Sequence, residues 1–281
     1  MARTSNRTTG TRKRGKPRRP GRAPPRRAVG LGRRWLRLLW AAPPGIQILA
    51  GVVAVVGAWS ATNWIYQVVR KPTELYFPVS GVLRKTPPET WRRYGPIFRL
   101  HSTEAITPEF LAALAQVEGS GNPVARTYWR WSLTPDPFEL YRPASSAVGM
   151  YQITDATFDI AKRYCIHDHV VVEDGPWHAW RSCWFNGLYT RVIPSHAVEL
   201  TAALLDRQVA AVIRRQRIVV ATQERKQDLA AVIHLCGLGA GNAYARRGFR
   251  LAPEQHCGDH DARAYLAKVH EMKRAFARLA N

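Results

Sequence analysis

Apolar and polar positions divide this chain into stretches of different kinds. Residues 44–67 are apolar almost throughout, residues 1–40 are dominated by Arg, Pro and Gly, and beyond about residue 89 apolar residues recur three and four apart. That last spacing predicts helices. Trp91, Tyr94, Ile97 and Phe98 open the pattern. Thr107-Pro108-Glu109 supplies an N-cap, a proline at the first helical position and a first-turn acid; Phe110, Leu111, Leu114 and Val117 follow as a stripe that Gly119 is expected to stop. Thr154 can cap a helix through Phe158, Ala161 and Tyr164, and a long stripe runs from Ser195 through Val198, Leu205, Val209 and Ile213. Two further helices are expected from about Lys226 to Leu235 and from about Asp261 to Leu279. Short strands fit only Ala147 to Ile153 or Val170 to Glu173, so the fold class is mainly α.

The 44–67 stretch predicts a transmembrane helix. No Asp, Glu, Lys or Arg lies between Arg37 and Arg70, and Ile46 to Tyr66 at about 1.5 Å rise per residue covers roughly 30 Å, a bilayer hydrocarbon core. Trp40, Trp59, Trp64 and Tyr66 fall at or near its ends, where amphipathic rings favour the interface. A cleaved signal peptide also combines a basic start with an apolar run, and Arg33-Arg34-Trp35-Leu36 loosely resembles a twin-arginine signal. No Ala-x-Ala site follows, which favours an uncleaved anchor. Residues 68–88, rich in Pro, Thr and Lys, read as a stalk, and 89–281 as the folded domain.

Charge sharpens this picture. The chain has 281 residues and a formal net charge of +22, but 14 of its 42 basic residues lie before Leu38, where there is no Asp or Glu. Residues 1–40 therefore read as a disordered basic tail, and the remainder carries only about +8. Nucleic-acid binding would rest on the tail alone. Residues 18–37 hold eight Lys or Arg against four in 70–87, so the positive-inside rule keeps the tail cytoplasmic and exports the rest. In a bacterium with two membranes, this is a single-pass inner-membrane protein with a periplasmic domain.

Cys165, Cys183, Cys236 and Cys257 all lie on the exported side. Four cysteines permit three pairings; the local pairs Cys165 with Cys183 and Cys236 with Cys257 close short loops and are favoured. A zinc site using Cys257, His260 and His256 is the alternative, although no Cys-x2-Cys partner exists.

One residue on the first long stripe is out of character. Glu118 lies four positions after Leu114 and seven after Leu111, which places a carboxylate on the apolar face at the helix C-terminal end. Burial and the negative end of the helix dipole both favour the protonated form, the state a general acid needs. The alternative is that Glu118 points off the helix end into solvent.

Around it, Gln116-Val117-Glu118-Gly119-Ser120-Gly121-Asn122-Pro123 and then Ala147-Val148-Gly149-Met150-Tyr151-Gln152-Ile153-Thr154 resemble the first two signatures of the soluble lytic transglycosylase (SLT) domain, within the lysozyme-like superfamily. The resemblance covers roughly residues 90–280. A third signature, usually Tyr-Asn-Ala-Gly, would fall at His234-Leu235-Cys236-Gly237. The family's Ser after the glutamate is here Gly119, with Ser120 next, and its Tyr and Asn are replaced by His234 and Leu235. His234 either takes over a polar contact or is a satisfied core histidine. Between Ala125 and Ala147 the chain is longer than the family pattern and carries Tyr128, Trp129, Trp131, Phe138 and Tyr141, which either stack on sugar rings or pack a loop.

The resemblance implies cleavage of the β-1,4 bond between N-acetylmuramic acid and N-acetylglucosamine in peptidoglycan glycan strands. It implies Glu118 as the catalytic acid and then base, Met150, Tyr151, Gln152, Ser120 and His234 as substrate-binding residues, and no cofactor or metal. Ordinary glycosidases use two carboxylates; Asp136, Glu139 and Asp155 are the possible second acids, and one of them across the cleft would imply a muramidase instead. A third reading is a catalytically silent peptidoglycan-binding protein serving cell-envelope or secretion machinery.

Overall fold

A computed structural model describes residues 40–281 except Trp177. The basic tail expected over residues 1–40 lies outside the described residues but for Trp40. The chain divides into a unit ending at Trp59 and a unit running from Ser60 to Asn281.

In the first unit, helix α1 begins at Pro44; it continues to Arg70 and is long and apolar enough to cross a membrane. It outruns the expected 44–67 by one turn because Tyr66, Val68 and Val69 do not interrupt helical pairing. Ile48, Leu49, Val53 and Val55 are all more than half exposed, as residues facing acyl chains would be.

The second unit is mainly helical. A 3-10 turn (Pro72–Tyr76) and a short α2 (Phe77–Ser80) lead to α3 (Pro87–Leu100), α4 (Pro108–Gly119), α5 (Asp155–Ala161), α6 (Pro194–Arg215), α7 (Gln223–Arg246) and α8 (Ala262–Ala280). Three two-stranded antiparallel hairpins interrupt them: β1 (Trp129–Trp131) with β2 (Tyr141–Pro143), β3 (Tyr164–His167) with β4 (Val170–Glu173), and β5 (His256–Cys257) with β6 (His260–Asp261). The strand expected at Val170 to Glu173 is β4. Around Ala147 to Ile153 only an isolated bridge, Val148 to Ile153, forms.

Helix α4 lies at the centre and packs against α3 and α8. Phe110, Leu111, Ala112, Ala113, Leu114 and Ala115 are consecutive and all fully buried. Alanines on the faces away from the stripe allow neighbouring helices to close in all round, while each large side chain removed from water contributes about 1.5–3 kcal/mol. Trp91 and Phe98 of α3 meet Phe276 of α8 beside it, with Trp91 ring centroids 6.3 and 5.8 Å from the two phenyl rings.

Caps follow the sequence. Thr107 Oγ1 accepts from Phe110 N–H, and Thr154 Oγ1 from Thr157 N–H. Helix α4 ends at Gly119, as expected, and the left-handed residue that follows it is Ser120 (φ 50°). Helix α7 runs past the expected Leu235, breaks at Gly237 (φ 80°, ψ 170°) and resumes to Arg246. Only a glycine adopts that conformation without strain.

Cys165 pairs with Cys183 and Cys236 with Cys257, at Cα separations of 5.5 and 5.2 Å. The second disulfide ties the α7 break to β5.

Residues 68–88 are not an unpacked stalk. Glu74 is fully buried and forms ion pairs with Lys71 (3.3 Å) and Arg126 (2.8 Å), and Trp129 Nε1–H donates to it at 2.9 Å. Asn122 Nδ2–H donates to Ser80 O, and Lys85 N–H to Ser120 O. The segment lacks helical periodicity because it is held by polar side chains reaching from the α4–β1 loop, a pairing that local spacing does not encode.

Candidate active site

Glu118 sits in the last turn of α4 with its side chain 16% exposed. The buried stripe beneath it fixes the helix and brings the carboxylate to the edge of the core, neither out in solvent nor sealed in.

Two groups from distant elements converge on Oε1. Tyr265, in the first turn of α8, donates its hydroxyl at 2.5 Å, and His234 Nε2, just before the α7 break, lies 3.7 Å away. Burial first, and then the neighbouring Glu118 carboxylate, push the Tyr265 phenol well above its ordinary value. It therefore stays protonated and acts as a donor over any physiological pH. Asp261 N-caps α8, accepting from Ala264 N–H at 2.6 Å, and so anchors the turn that carries Tyr265.

Glu118 opens into a cavity of about 460 Å³ that Ser120, Asn122, Arg126 and Tyr128 also line, with Ser80, Gly81 and Arg84 on its other wall. The segment following α1 thus forms part of the site. On the His234 side lies a second cavity of about 250 Å³, lined among others by Gln152, Thr157, Thr201, Leu204, Gln208 and Gly237. Thr201 Oγ1 is buried there without a hydrogen-bond partner among the described residues, a group that a polar ligand atom would satisfy.

The structure therefore brings Glu118, Ser120, Gln152 and His234 to adjoining cavities. Gln152 adopts φ 47° and its amide donates to Ala125 O and Gly149 O, so part of its hydrogen-bonding capacity holds the loop in place. Met150 and Tyr151 are corrections to the sequence reading: both are fully buried, Tyr151 donates to Leu111 O, and neither offers its side chain to a ligand. Their role is to fit the core. A Cβ on Gly119 would lie 2.8 Å from Met150 Cα, so the Met150 backbone packs directly against the end of α4.

The possible second acids are elsewhere. Glu139 bonds to Arg70 and Arg142, Asp155 pairs with Arg191 at 2.7 Å, and Asp136 lies in the β1–β2 loop, where it accepts from Phe138 N–H. Among the described residues lining the two cavities, Glu118 is the only Asp or Glu. Nor is any group of three or more His, Cys, Asp and Glu arranged to hold a metal ion among the described residues.

Sequence reading missed Tyr265 and Glu74. Tyr265 belongs to the stripe Ala262, Tyr265, Leu266, Val269, and an aromatic residue there reads as ordinary core; Glu74 lies in a segment with no periodicity at all. No protein-family model matches the chain, and no curated protein or solved structure matches it either.

Proposed function

We propose that this chain is a membrane-anchored lytic transglycosylase with a lysozyme-like SLT domain, acting on the periplasmic side of a bacterial inner membrane. The observation that carries the reading is Glu118: a lone carboxylate at the end of a buried helix, between two cavities and held by a phenol donor. Its setting supports a mechanism that needs one carboxylate in place of the usual two. The absence of Asp136, Glu139 and Asp155 from the walls of the two cavities at Glu118 and His234 favours that mechanism over hydrolysis.

In this mechanism protonated Glu118 gives its proton to the oxygen linking N-acetylmuramic acid to N-acetylglucosamine, and that C–O bond breaks. The substrate's acetamido group stabilises the oxocarbenium-like centre at C1. Glu118, now ionised, takes the proton from the muramoyl C6 hydroxyl as its oxygen bonds to C1. The product is a 1,6-anhydro sugar, no water is consumed, and Glu118 ends protonated. Tyr265 orients the carboxylate through both steps. Gln152, Thr201 and His234 supply amide, hydroxyl and imidazole groups suited to an acetamido sugar in the smaller cavity.

Mass spectrometry of wall fragments released by the full-length protein in detergent tests this reading. Anhydro-muramoyl ends, lost in Glu118→Gln while the fold is retained, are the expected result. Reducing ends would make it a muramidase, and retained cleavage by Glu118→Gln would remove Glu118 from the chemistry.

A further inference from the structure

The last two turns of α1 do not stand apart from the second unit. Asn63 Nδ2–H donates to Tyr141 O and Gln67 Nε2–H to Phe138 O, each at 2.7 Å, while Tyr66 lies against Phe138 with ring centroids 5.2 Å apart. One face of these turns is thus polar and bound to the β1–β2 hairpin. The rest is apolar and open: Trp64, Ile65 and Val69 are 40%, 57% and 75% exposed. An exposed apolar face on the helix segment that ends a candidate span is stable when its neighbour is lipid rather than water. The hairpin is fastened at that same level.

The hairpin itself carries the two features of a lipid contact. Its outer part presents apolar side chains, with Leu133 fully exposed and Trp131 69% exposed. Strand register places Arg130 directly opposite Arg142, a like-charge pair that costs energy without an anion nearby. Glu139 is shared between Arg142 and Arg70, so among the described residues Arg70, Arg130 and Arg142 have one carboxylate paired with them. At the hairpin's root, Arg70, Lys71, Arg142 and Arg191 line a cavity of about 260 Å³ with only Glu139 and Asp155 as acids. Cations therefore exceed carboxylates where the helix ends.

We propose that the β1–β2 hairpin is a second membrane contact, lying in the headgroup layer of an anionic bilayer with Leu133 and Trp131 seated among the upper acyl chains and Arg130 and Arg142 against lipid phosphates. Asp136, at the turn, remains on the water side. The proposal rests on α1 spanning the membrane. Its consequence for the site is geometric: Arg126, Thr127 and Tyr128 join the Glu118 cavity to β1, so the hairpin holds that cavity at one height above the lipid and selects glycan strands near the membrane.

The test incorporates a benzophenone amino acid at Leu133, at Val55 in α1, or at the exposed Val219 between α6 and α7, in the full chain in nanodiscs containing phosphatidylglycerol. Lipid adducts are expected at 133 and 55 and not at 219. Exchange of phosphatidylglycerol for phosphatidylcholine is expected to lower the yield at 133 about fivefold, as the loss of one basic residue's attraction to an anionic surface would. Adducts at 55 without 133 would overturn the hairpin contact and leave the span intact. Adducts at neither would overturn both. Equal yields at 133 and 219, or a yield at 133 indifferent to lipid charge, would also overturn the proposal.

Discussion

The Tyr265 hydroxyl donates to Glu118 Oε1 at 2.5 Å, joining side chains 147 positions apart in the chain. Replacing Tyr265 by Phe keeps the ring and its packing and removes only this donor. A hydrogen bond to a charged group contributes about 1.5–3 kcal/mol, so wall cleavage by Tyr265→Phe is expected to fall roughly 10- to 100-fold. Tyr265 is a positioning residue, so kcat should fall while KM and the thermal midpoint stay near their wild-type values. A purely structural role would instead lower the thermal midpoint.

Gly119 bears on the same site through space rather than charge. A methyl group there would meet the Met150 backbone, which has no flexible end to swing away. Gly119→Ala is expected to cost about 1–3 kcal/mol of stability, as overpacking of a core does, and to displace Glu118, its chain neighbour. Urea unfolding measures the first effect. Cleavage assayed at a temperature where the variant is fully folded measures the second, and it should be lower than wild type.

Glu74 tests the buried anchor that replaced the expected stalk. Glu74→Ala removes the carboxylate beside Lys71 and Arg126 and the acceptor of Trp129 Nε1–H, and removing one partner from a buried ion pair typically costs about 3–5 kcal/mol. Burial already holds Lys71 below the ordinary lysine value while the Glu74 charge opposes that shift, so Lys71 is expected to give up its proton more readily in the variant. The unfolding midpoint in detergent should drop sharply, and Glu74→Gln, which keeps the shape and the Trp129 acceptor, should drop it less.

Acid sensitivity is expected above the carboxylate range. Burial holds His101 and His196 below the ordinary histidine value; the Glu199 carboxylate opposes the shift at both, and His196 adds to it at His101. Tyr189 completes this cluster, donating to Glu199 at 2.7 Å. The unfolded chain takes up these protons near pH 6.5 and the folded chain only at lower pH. Between those values the unfolded state binds more protons, so stability is fully present above about pH 6.5 and declines as pH falls. Unfolding midpoints at pH 7.5 and 5.5 should differ by less in His101→Gln than in wild type.

How much of this was legible in the sequence depends on how local each feature is. The caps at Thr107 and Thr154, the buried stripe of α4 and the position of Glu118 at its end follow from spacings of three and four residues, which a helix turns directly into a face. The apolar run of α1 is legible for the same reason. Met150 and Tyr151 turn inward although the motif places them by the cleft, because a motif specifies which residues lie near one another, not which way a side chain turns from a tightly packed loop. Here Gly119 lets the Met150 backbone approach α4, and both side chains go inward.

By itself, the sequence determined the mainly helical class, one helix long and apolar enough to cross a membrane, a preference for the short-loop disulfide partners, and one carboxylate in an apolar setting. Only the tertiary structure decided that Tyr265 and His234 meet that carboxylate, that Glu139 and Asp155 are taken up by arginines elsewhere, and that the post-helix segment lines the cavity. Those facts depend on contacts between residues far apart in the chain, where loop geometry and packing of whole helices choose the neighbours. No periodicity records that choice, because the energy of such a contact comes from burial and charge pairing that exist only once the helices have come together.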